Sequence, residues 1–193
     1  MIKLKELSED QIRFVYDEYM MVDFPDDERK PLGMIQEALK DGRYICYGLF
    51  DEEDLTGYAF MAFIEGGQGR DYLLDYLAIR ADRRDSGYGS NLLKLLKETL
   101  PDFHCMIVES ENPDHAESEE ERATRERRIR FYLNNGLNDT GAVAWLFGVY
   151  YRLLEIHTDD EPYSKEMAAG IYARIMRQVL PENMYGTMLR FFD

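Results

Sequence analysis

The 193-residue sequence predicts an α+β fold: a mixed, mostly antiparallel central sheet flanked by helices, with an extra helix at the C-terminus. Runs of strand-like sequence follow one another with short polar turns between them, which is typical of hairpins. Helical segments interrupt these runs without regular alternation, which argues against a doubly wound sheet. The length suits one domain, so we expect residues 1–193 to form a single domain. Within it we expect a core over 1–147, then the last strand and a C-terminal helical extension over 148–193.

The first 42 residues predict one strand and two helices. Residues 2–7 alternate apolar and charged side chains, as a short edge strand does. Ser8 and Gln11 have the spacing of a capping box, and apolar residues follow at helical intervals. A second helical pattern runs from about 31 to 39 and ends before Gly42.

From residue 43 the hydrophobic period changes to that of strands. Residues 44–50 and 55–64 predict a hairpin closed by the charged turn 51–54. A third strand is expected over 71–79, followed by a leucine-rich helix over 87–100.

The second half continues the mixed pattern. Residues 104–108 predict a buried strand, 117–133 a charged helix and 141–156 two further strands. Residues 164–180 form an amphipathic pattern whose apolar face carries Met167, Ile171, Ile175 and Val179. We expect this last helix to dock on the sheet.

The formal net charge of −15 constrains the partners. Nucleic acids and anionic membrane surfaces require a basic protein surface, so neither is expected. An acidic surface favours the approach of a cationic substrate, although acidity also serves solubility alone. The N-terminus has no long apolar run, which excludes a signal peptide or a transmembrane helix at that end and points to the cytoplasm.

The cysteines and histidines give no sign of a metal site. Cys46 and Cys105 lie in apolar stretches, as buried free thiols in a reducing compartment do. The three histidines, His104, His115 and His157, are too isolated to form a ligand set. We therefore expect no metal.

The segment 76–90 is the most informative one. It places a strand end, a polar turn and two glycines, Gly87 and Gly89, directly before a helix. The N–H groups at a helix N-terminus bind phosphate, and glycines let the backbone approach an anion closely. A dinucleotide-binding fingerprint would need a third glycine where Leu92 stands, although Glu109 has the spacing of its ribose-binding acid. A P-loop would need Gly-Lys-Ser/Thr, and a glycine-bearing turn without a ligand is the plainest alternative.

Three motifs in this order resemble those of the GCN5-related N-acetyltransferases. Arg84-x-x-Gly87-x-Gly89 is similar to the loop with which that family grips the pyrophosphate of CoA. Residues 107–111 resemble its acidic fifth strand, and Tyr132-x-x-x-Gly136-Leu137 resembles its second signature. The resemblance spans about residues 43–147.

The resemblance implies that acetyl-CoA is the cosubstrate. In the family the fifth strand splays from the fourth, and the pantetheine arm pairs with the fourth strand's backbone. The residues that would bind acetyl-CoA here are Leu77, Ala78 and Ile79 for the arm, and Arg84, Asp85, Ser86, Gly87, Tyr88, Gly89 and Ser90 for the pyrophosphate.

The resemblance also implies direct attack of a primary amine on the thioester. Tyr132 matches the tyrosine that protonates the departing thiolate in many members. Asp75 and Glu109 are the candidate general bases, through a water molecule. Leu73 occupies the position at which some members have a catalytic glutamate, so this chain cannot use that glutamate as its general base.

Two departures concern the segment before Tyr132. Many members carry Asn-x-x-Ala where this chain has Arg125 and Arg128. The segment 111–124 is unusually acidic, which indicates a solvated face or a wall of the acceptor site.

The expected partners are thus acetyl-CoA and an amine. The acidic net charge of the protein favours a small cationic amine as the acceptor. We expect a monomer or a homodimer. The alternative is a non-catalytic acyl-CoA-binding or sensor protein, which would keep Arg84, Gly87 and Gly89 without depending on Tyr132.

Overall fold

The computed structural model describes residues 1–26, 28–180 and 182–192. The strands are β1 (Ile2–Glu6), β2 (Tyr44–Asp51), β3 (Asp54–Glu65), β4 (Arg70–Ile79), β5 (Phe103–Glu111), β6 (Asn138–Leu146), β7 (Val149–His157) and β8 (Leu189–Phe192). The α-helices are α1 (Glu9–Val15), α2 (Met21–Asp23), α3 (Leu32–Lys40), α4 (Tyr88–Thr99), α5 (Glu119–Asn134), α6 (Lys165–Val179) and α7 (Glu182–Met188). A π-helical segment, Tyr16–Met20, joins α1 to α2, and short 3-10 turns cover Ala81–Arg83 and Pro113–His115.

The eight strands form one sheet in the order β1-β2-β3-β4-β5-β7-β6-β8. The pairs β1/β2, β2/β3, β5/β7, β6/β7 and β6/β8 are antiparallel. Helices flank the sheet, so the predicted α+β architecture is confirmed.

The chain divides into two compact units. The first comprises residues 1–63 and 74–101, and the second comprises 64–73 and 102–193. The assignment of all 193 residues to a single domain stays a prediction.

The first unit contains the predicted N-terminal capping box. The Ser8 hydroxyl accepts from the Gln11 N–H, and the Gln11 side chain accepts from the Ser8 N–H, so α1 begins where the sequence predicts. Helix α4 packs on β1 in this unit. It buries Leu92, Leu93 and Leu96, the leucine face expected from the sequence.

In the second unit β7 lies between β5 and β6. Phe147 and Gly148, both at positive φ, form the tight turn from β6 to β7, in the backbone region that two-residue hairpin loops require. Helix α6 packs on β6 as expected and buries Ile171 and Ile175. Met167, which we predicted on the same apolar face, is instead 53% exposed.

The C-terminal end differs from the helical extension that we expected. After α6 the chain forms α7 and then an eighth strand, which pairs with β6 so that Phe192 lies opposite Val143. The last strand is therefore β8. A run of four residues is too short to show a strand period, which is why the sequence does not reveal it.

Cys46 and Cys105 are buried and free within the described chain, and burial raises the pKa of both thiols. No helix in the described ranges is long and apolar enough to cross a membrane.

Candidate active site

The predicted phosphate cradle lies in the first unit, where β4 ends and α4 begins. The Arg80 N–H donates to the carbonyl oxygen of Thr56 over 2.9 Å, which fixes the end of β4. The chain then makes the 3-10 turn and reaches Gly87, the N-cap residue of α4. Gly87 has φ +80°, a left-handed conformation that glycine adopts without steric cost, so the glycine is required by the backbone.

Helix α4 begins without a side-chain cap among the described residues. Helices α1, α5 and α6 differ in this respect, because Ser8, Ser118 and Ser164 accept from N–H groups of their first turns. The first intrahelical bond of α4 runs from the Asn91 N–H to Gly87, which leaves the preceding N–H groups of the helix end available to an anion. Ser86 and Ser90 are exposed beside them.

Arg84 is held at the rim of this cradle. Its Nε donates to the Ile79 carbonyl oxygen over 3.1 Å, and one terminal nitrogen donates to Asp23 over 3.0 Å. Asp23 also accepts from the Tyr58 hydroxyl at 3.0 Å. The Arg84 side chain is 56% exposed, so its guanidinium is fixed in position and still open to a phosphate oxygen.

The other cofactor-site residues lie on both sides of the loop. Leu77, Ala78 and Ile79 are half-buried at the end of β4. Asp85 is exposed at φ +60° within the turn. Tyr88 donates its hydroxyl to Asp51 over 2.8 Å, so its side chain is tied to β2 while its backbone lies in the first turn of α4.

Asp75 lies on β4 with a side chain that is only 6% exposed. Lys30 Nζ donates to both carboxylate oxygens over 2.6 and 2.8 Å, and the Tyr44 hydroxyl donates to one of them. Burial raises the pKa of the Tyr44 phenol well above its usual range, and the negative charge of Asp75 raises it further. Both Asp75 oxygens thus accept hydrogen bonds from neighbouring side chains, which leaves less of the carboxylate open to a water molecule.

Tyr132 lies on α5 in the second unit and is 7% exposed. Burial raises the pKa of this phenol to about 12, against an opposing effect of the Arg128 charge. The hydroxyl therefore keeps its proton at neutral pH, as a proton donor must.

Glu109 lies on β5 and accepts a hydrogen bond from the Tyr172 hydroxyl of α6. Tyr172 is fully buried. The sequence gives no sign of this contact, because Tyr172 and Glu109 are 63 positions apart and no local pattern joins them. Lys30 and Tyr44 were missed for the same reason, at 45 and 31 positions from Asp75.

The two arginines that depart from the family pattern join α5 to the end of β5. Arg125 is buried and donates to the Asn112 carbonyl oxygen and to Glu111, each over 3.0 Å. Arg128 donates to the other oxygen of Glu111, also over 3.0 Å. Residues 119–121 of the acidic segment form the first turn of α5, where negative charge stabilises a helix.

A sequence model of the acetyltransferase (GNAT) family matches residues 5–136 of the chain. The chain belongs to the GNAT family. Members of this family are acetyl-CoA-dependent N-acetyltransferases. Among curated protein sequences, no significant match to the chain was found.

Solved GNAT structures share the fold at low sequence identity. A putative acetyltransferase of the family from Bacteroides thetaiotaomicron is 19% identical with a TM-score of 0.68, over 92% of this chain and 97% of that one. A variant of spermidine N-acetyltransferase SpeG from Vibrio cholerae is 11% identical with a TM-score of 0.59, over 81% and 93%. Arabidopsis thaliana Naa50, in complex with the bisubstrate analogue CoA-Ac-MVNAL, is 14% identical with a TM-score of 0.60, over 81% and 99%.

Each of the two units contains part of the candidate site residues. The first unit brings together the end of β4, the loop and the start of α4, and the second contains Tyr132 and Glu109. Across the ranges that the structure describes, no group of three or more His, Cys, Asp and Glu side chains could hold a metal ion. That no metal takes part stays a prediction.

Proposed function

We propose that this GNAT protein transfers the acetyl group of acetyl-CoA to a primary amine by direct attack. The observation that carries the proposal is the start of α4, where a glycine at positive φ precedes a helix end without a side-chain cap. Such an end fits a diphosphate, because its N–H groups and helix dipole both favour an anion.

The chain's own residues would hold acetyl-CoA in two places. The backbone of Leu77, Ala78 and Ile79 would bind the pantetheine arm as a partner strand does. The amides of residues 85–90, with the Arg84 guanidinium, would bind the pyrophosphate. When bound, acetyl-CoA supplies an acetyl group activated as a thioester.

The reaction needs two proton transfers, one to the departing sulfur and one from the acceptor ammonium. Tyr132, whose pKa of about 12 keeps the phenol protonated, would donate a proton to the departing sulfur. Glu109 is the preferred general base for the acceptor ammonium, acting through a water molecule. Asp75 is the second candidate, and its pairing with Lys30 favours a role in positioning instead.

The acceptor class that we propose is a small cationic amine. The net charge of −15 favours the approach of such a molecule, and the fold is shared with a spermidine N-acetyltransferase. A peptide amine is the competing class, because the fold is also shared with a protein solved with a CoA–peptide analogue.

Calorimetric titration with acetyl-CoA, with NAD as the control ligand, tests the cradle directly. We expect saturable binding of acetyl-CoA and none of NAD. Gly89→Trp places a bulky side chain in the first turn of α4 and should abolish acetyl-CoA binding. Lys94→Trp, at an exposed position of the same helix, should leave it unchanged. Equal affinity in the Gly89→Trp protein would refute the assignment of the loop.

A screen of amine acceptors, with detection of released CoA thiol, tests the reaction. Turnover with spermidine and not with a short peptide would support the small-amine class, and the reverse result would replace it with peptide acceptors. Acetyl-CoA binding without turnover of any amine would favour the acyl-CoA sensor instead.

A further inference from the structure

The second unit contains a cavity of about 430 Å³ that none of the residues proposed for acetyl transfer lines. Its walls are the loop at Gly67 and Gln68, the starts of β4 and β5, the segment before α6, and α6 as far as Arg174. Cavities of this size bind small organic ligands. His104 in its wall and Glu109 lie five residues apart on β5, about 17 Å along a strand.

A preorganised polar network lines this cavity. Asp71, with a side chain only 2% exposed, accepts from His104 Nδ1 over 2.7 Å and from Arg174 over 2.8 Å. The other ring nitrogen, His104 Nε2, lies 3.1 Å from the Tyr163 hydroxyl. Tyr163 in turn donates to Asp159 over 2.9 Å. The side chains are thus fixed by one another, which lowers the entropic cost of binding a ligand.

The ring of Tyr163 is also fixed from its other face. It stacks on His157 at a centroid distance of 3.9 Å with nearly parallel planes. The hydroxyl of Tyr163 therefore has little freedom to turn away from Asp159.

The charges that line the cavity are unbalanced. Arg174 is bound to Asp71, and His104 Nε2 lies 3.3 Å from Asp159, so three carboxylates face one guanidinium and one imidazole, and Glu166 has no cationic partner in the lining. The hydrogen bond from Tyr163 lowers the pKa of Asp159, and backbone hydrogen bonding lowers that of Glu166. Both carboxylates are therefore charged at neutral pH. Met167 and Ile171 add apolar surface beside them.

We propose that this cavity is a second ligand site, which binds a primary ammonium group on a short aliphatic chain. The ammonium donates to the carboxylates of Asp159 and Glu166, and the chain packs on Met167 and Ile171. An anionic ligand at Arg174 is disfavoured, because that guanidinium is already bound to Asp71 and two further carboxylates lie in the same lining.

The test is an NMR titration of the ¹⁵N-labelled full chain with n-butylammonium, with 1-butanol as an uncharged control of equal chain length. No acetyl-CoA is added, so the result does not depend on the proposed acetyl transfer. We expect saturable shifts of the Gly67 and Gly170 amide signals with butylammonium and not with 1-butanol. No saturation, or saturable shifts confined to residues outside the cavity, would overturn the proposal.

Two matched double variants test the carboxylates. Asp159→Asn with Glu166→Gln should weaken binding at least about tenfold, since charge-assisted hydrogen bonds are lost. Asp160→Asn with Glu161→Gln makes the same change of charge at exposed neighbours outside the cavity and should leave the affinity unchanged. An equal loss of butylammonium affinity in both double variants would show that only the overall charge matters, and it would refute the site. Glu166→Gln alone, at an exposed position, provides the test if the first double variant unfolds.

Discussion

At the scale of single residues, Tyr132 combines a buried phenol with a pKa raised to about 12. A proton donor needs to hold its proton at the working pH and to release it to the departing group. Burial meets the first condition, because the charged phenolate is disfavoured in a desolvated position.

Tyr132→Phe removes the hydroxyl and keeps the ring. We expect kcat to fall by about 100-fold or more, the typical contribution of general acid catalysis, while acetyl-CoA affinity stays unchanged. Steady-state kinetics with the acceptor found in the amine screen, together with calorimetric titration, measure the two quantities separately. Unchanged turnover would remove Tyr132 as the acid.

The pair of Lys30 and Asp75 leads to a prediction about stability. Lys30→Met leaves a carboxylate that is only 6% exposed without its cation, which should lower the free energy of unfolding by about 3 kcal/mol. The matched control is Lys5→Met, because Lys5 pairs with the exposed Glu53 and its loss should cost about 0.5 kcal/mol or less. Urea denaturation at pH 7 measures both. Equal effects would show that the Lys30 pair is no more important than a surface pair.

The turn and helix start proposed as the cradle could be predicted from the sequence because their parts are contiguous, whereas phosphate binding there stays a prediction. Arg84, Gly87 and Gly89 lie within six residues, and the helix that they precede has a clear leucine pattern. The partners of the candidate bases could not be predicted, since Lys30 and Tyr172 meet Asp75 and Glu109 only through the tertiary fold. Local patterns carry no information on such contacts.

At the scale of elements, β4 ends against a glycine of β3. A Cβ added to Gly57 would lie 2.5 Å from Ile79 Cδ1 and 2.8 Å from the Ala78 carbonyl oxygen. The Ile79 methyl group could move by a change of rotamer, whereas the clash with the Ala78 carbonyl oxygen could be relieved only by movement of the backbone. Gly57 therefore allows the close approach of β3 to the strand end proposed to bind the pantetheine arm.

Gly57→Ala should displace Ala78 and Ile79 and weaken acetyl-CoA binding by at least about tenfold, with a loss of about 2 kcal/mol in stability. Gly33→Ala is the matched control, because its added Cβ in α3 meets nothing within 4 Å. It should leave binding unchanged and stabilise the helix by about 0.5–1 kcal/mol. Calorimetric titration and thermal unfolding measure the two effects. A Gly57→Ala protein with normal affinity would contradict the role given to the strand end.

Elements with a strong local sequence signal agree with the prediction, and β8, which has none, does not. The capping box of α1 and the hairpin of β2 and β3 were predicted because Ser8, Gln11 and the charged turn 51–54 are strong local signals. Strand β8 was missed because its four residues depend on pairing with β6. The composition of 111–124 fits either a solvated face or a wall of the acceptor site, and in the structure residues 119–121 form the first turn of α5.

At the scale of the whole molecule, buried tyrosines make both units sensitive to alkali. Tyr44 in the first unit and Tyr132 in the second have pKa values raised by burial. Below pH 10 the folded and unfolded chains both keep the phenol protons, so no stability is lost. Between pH 10 and the folded pKa the unfolded chain loses protons that the folded chain retains, and unfolding becomes more favourable.

The stability of the protein should therefore fall as the pH rises from about 10 to about 12. Tyr132 alone should account for about 3 kcal/mol of that loss, two pKa units at about 1.4 kcal/mol each. Urea unfolding followed by circular dichroism at a series of pH values measures the fall. In Tyr132→Phe the decline over this range should be shallower by about the same amount, whereas below pH 9 the two proteins should differ by a constant. Parallel curves up to pH 12 would mean that this phenol ionises equally readily in the folded and unfolded chains, and the basis for treating it as a buried acid would be lost.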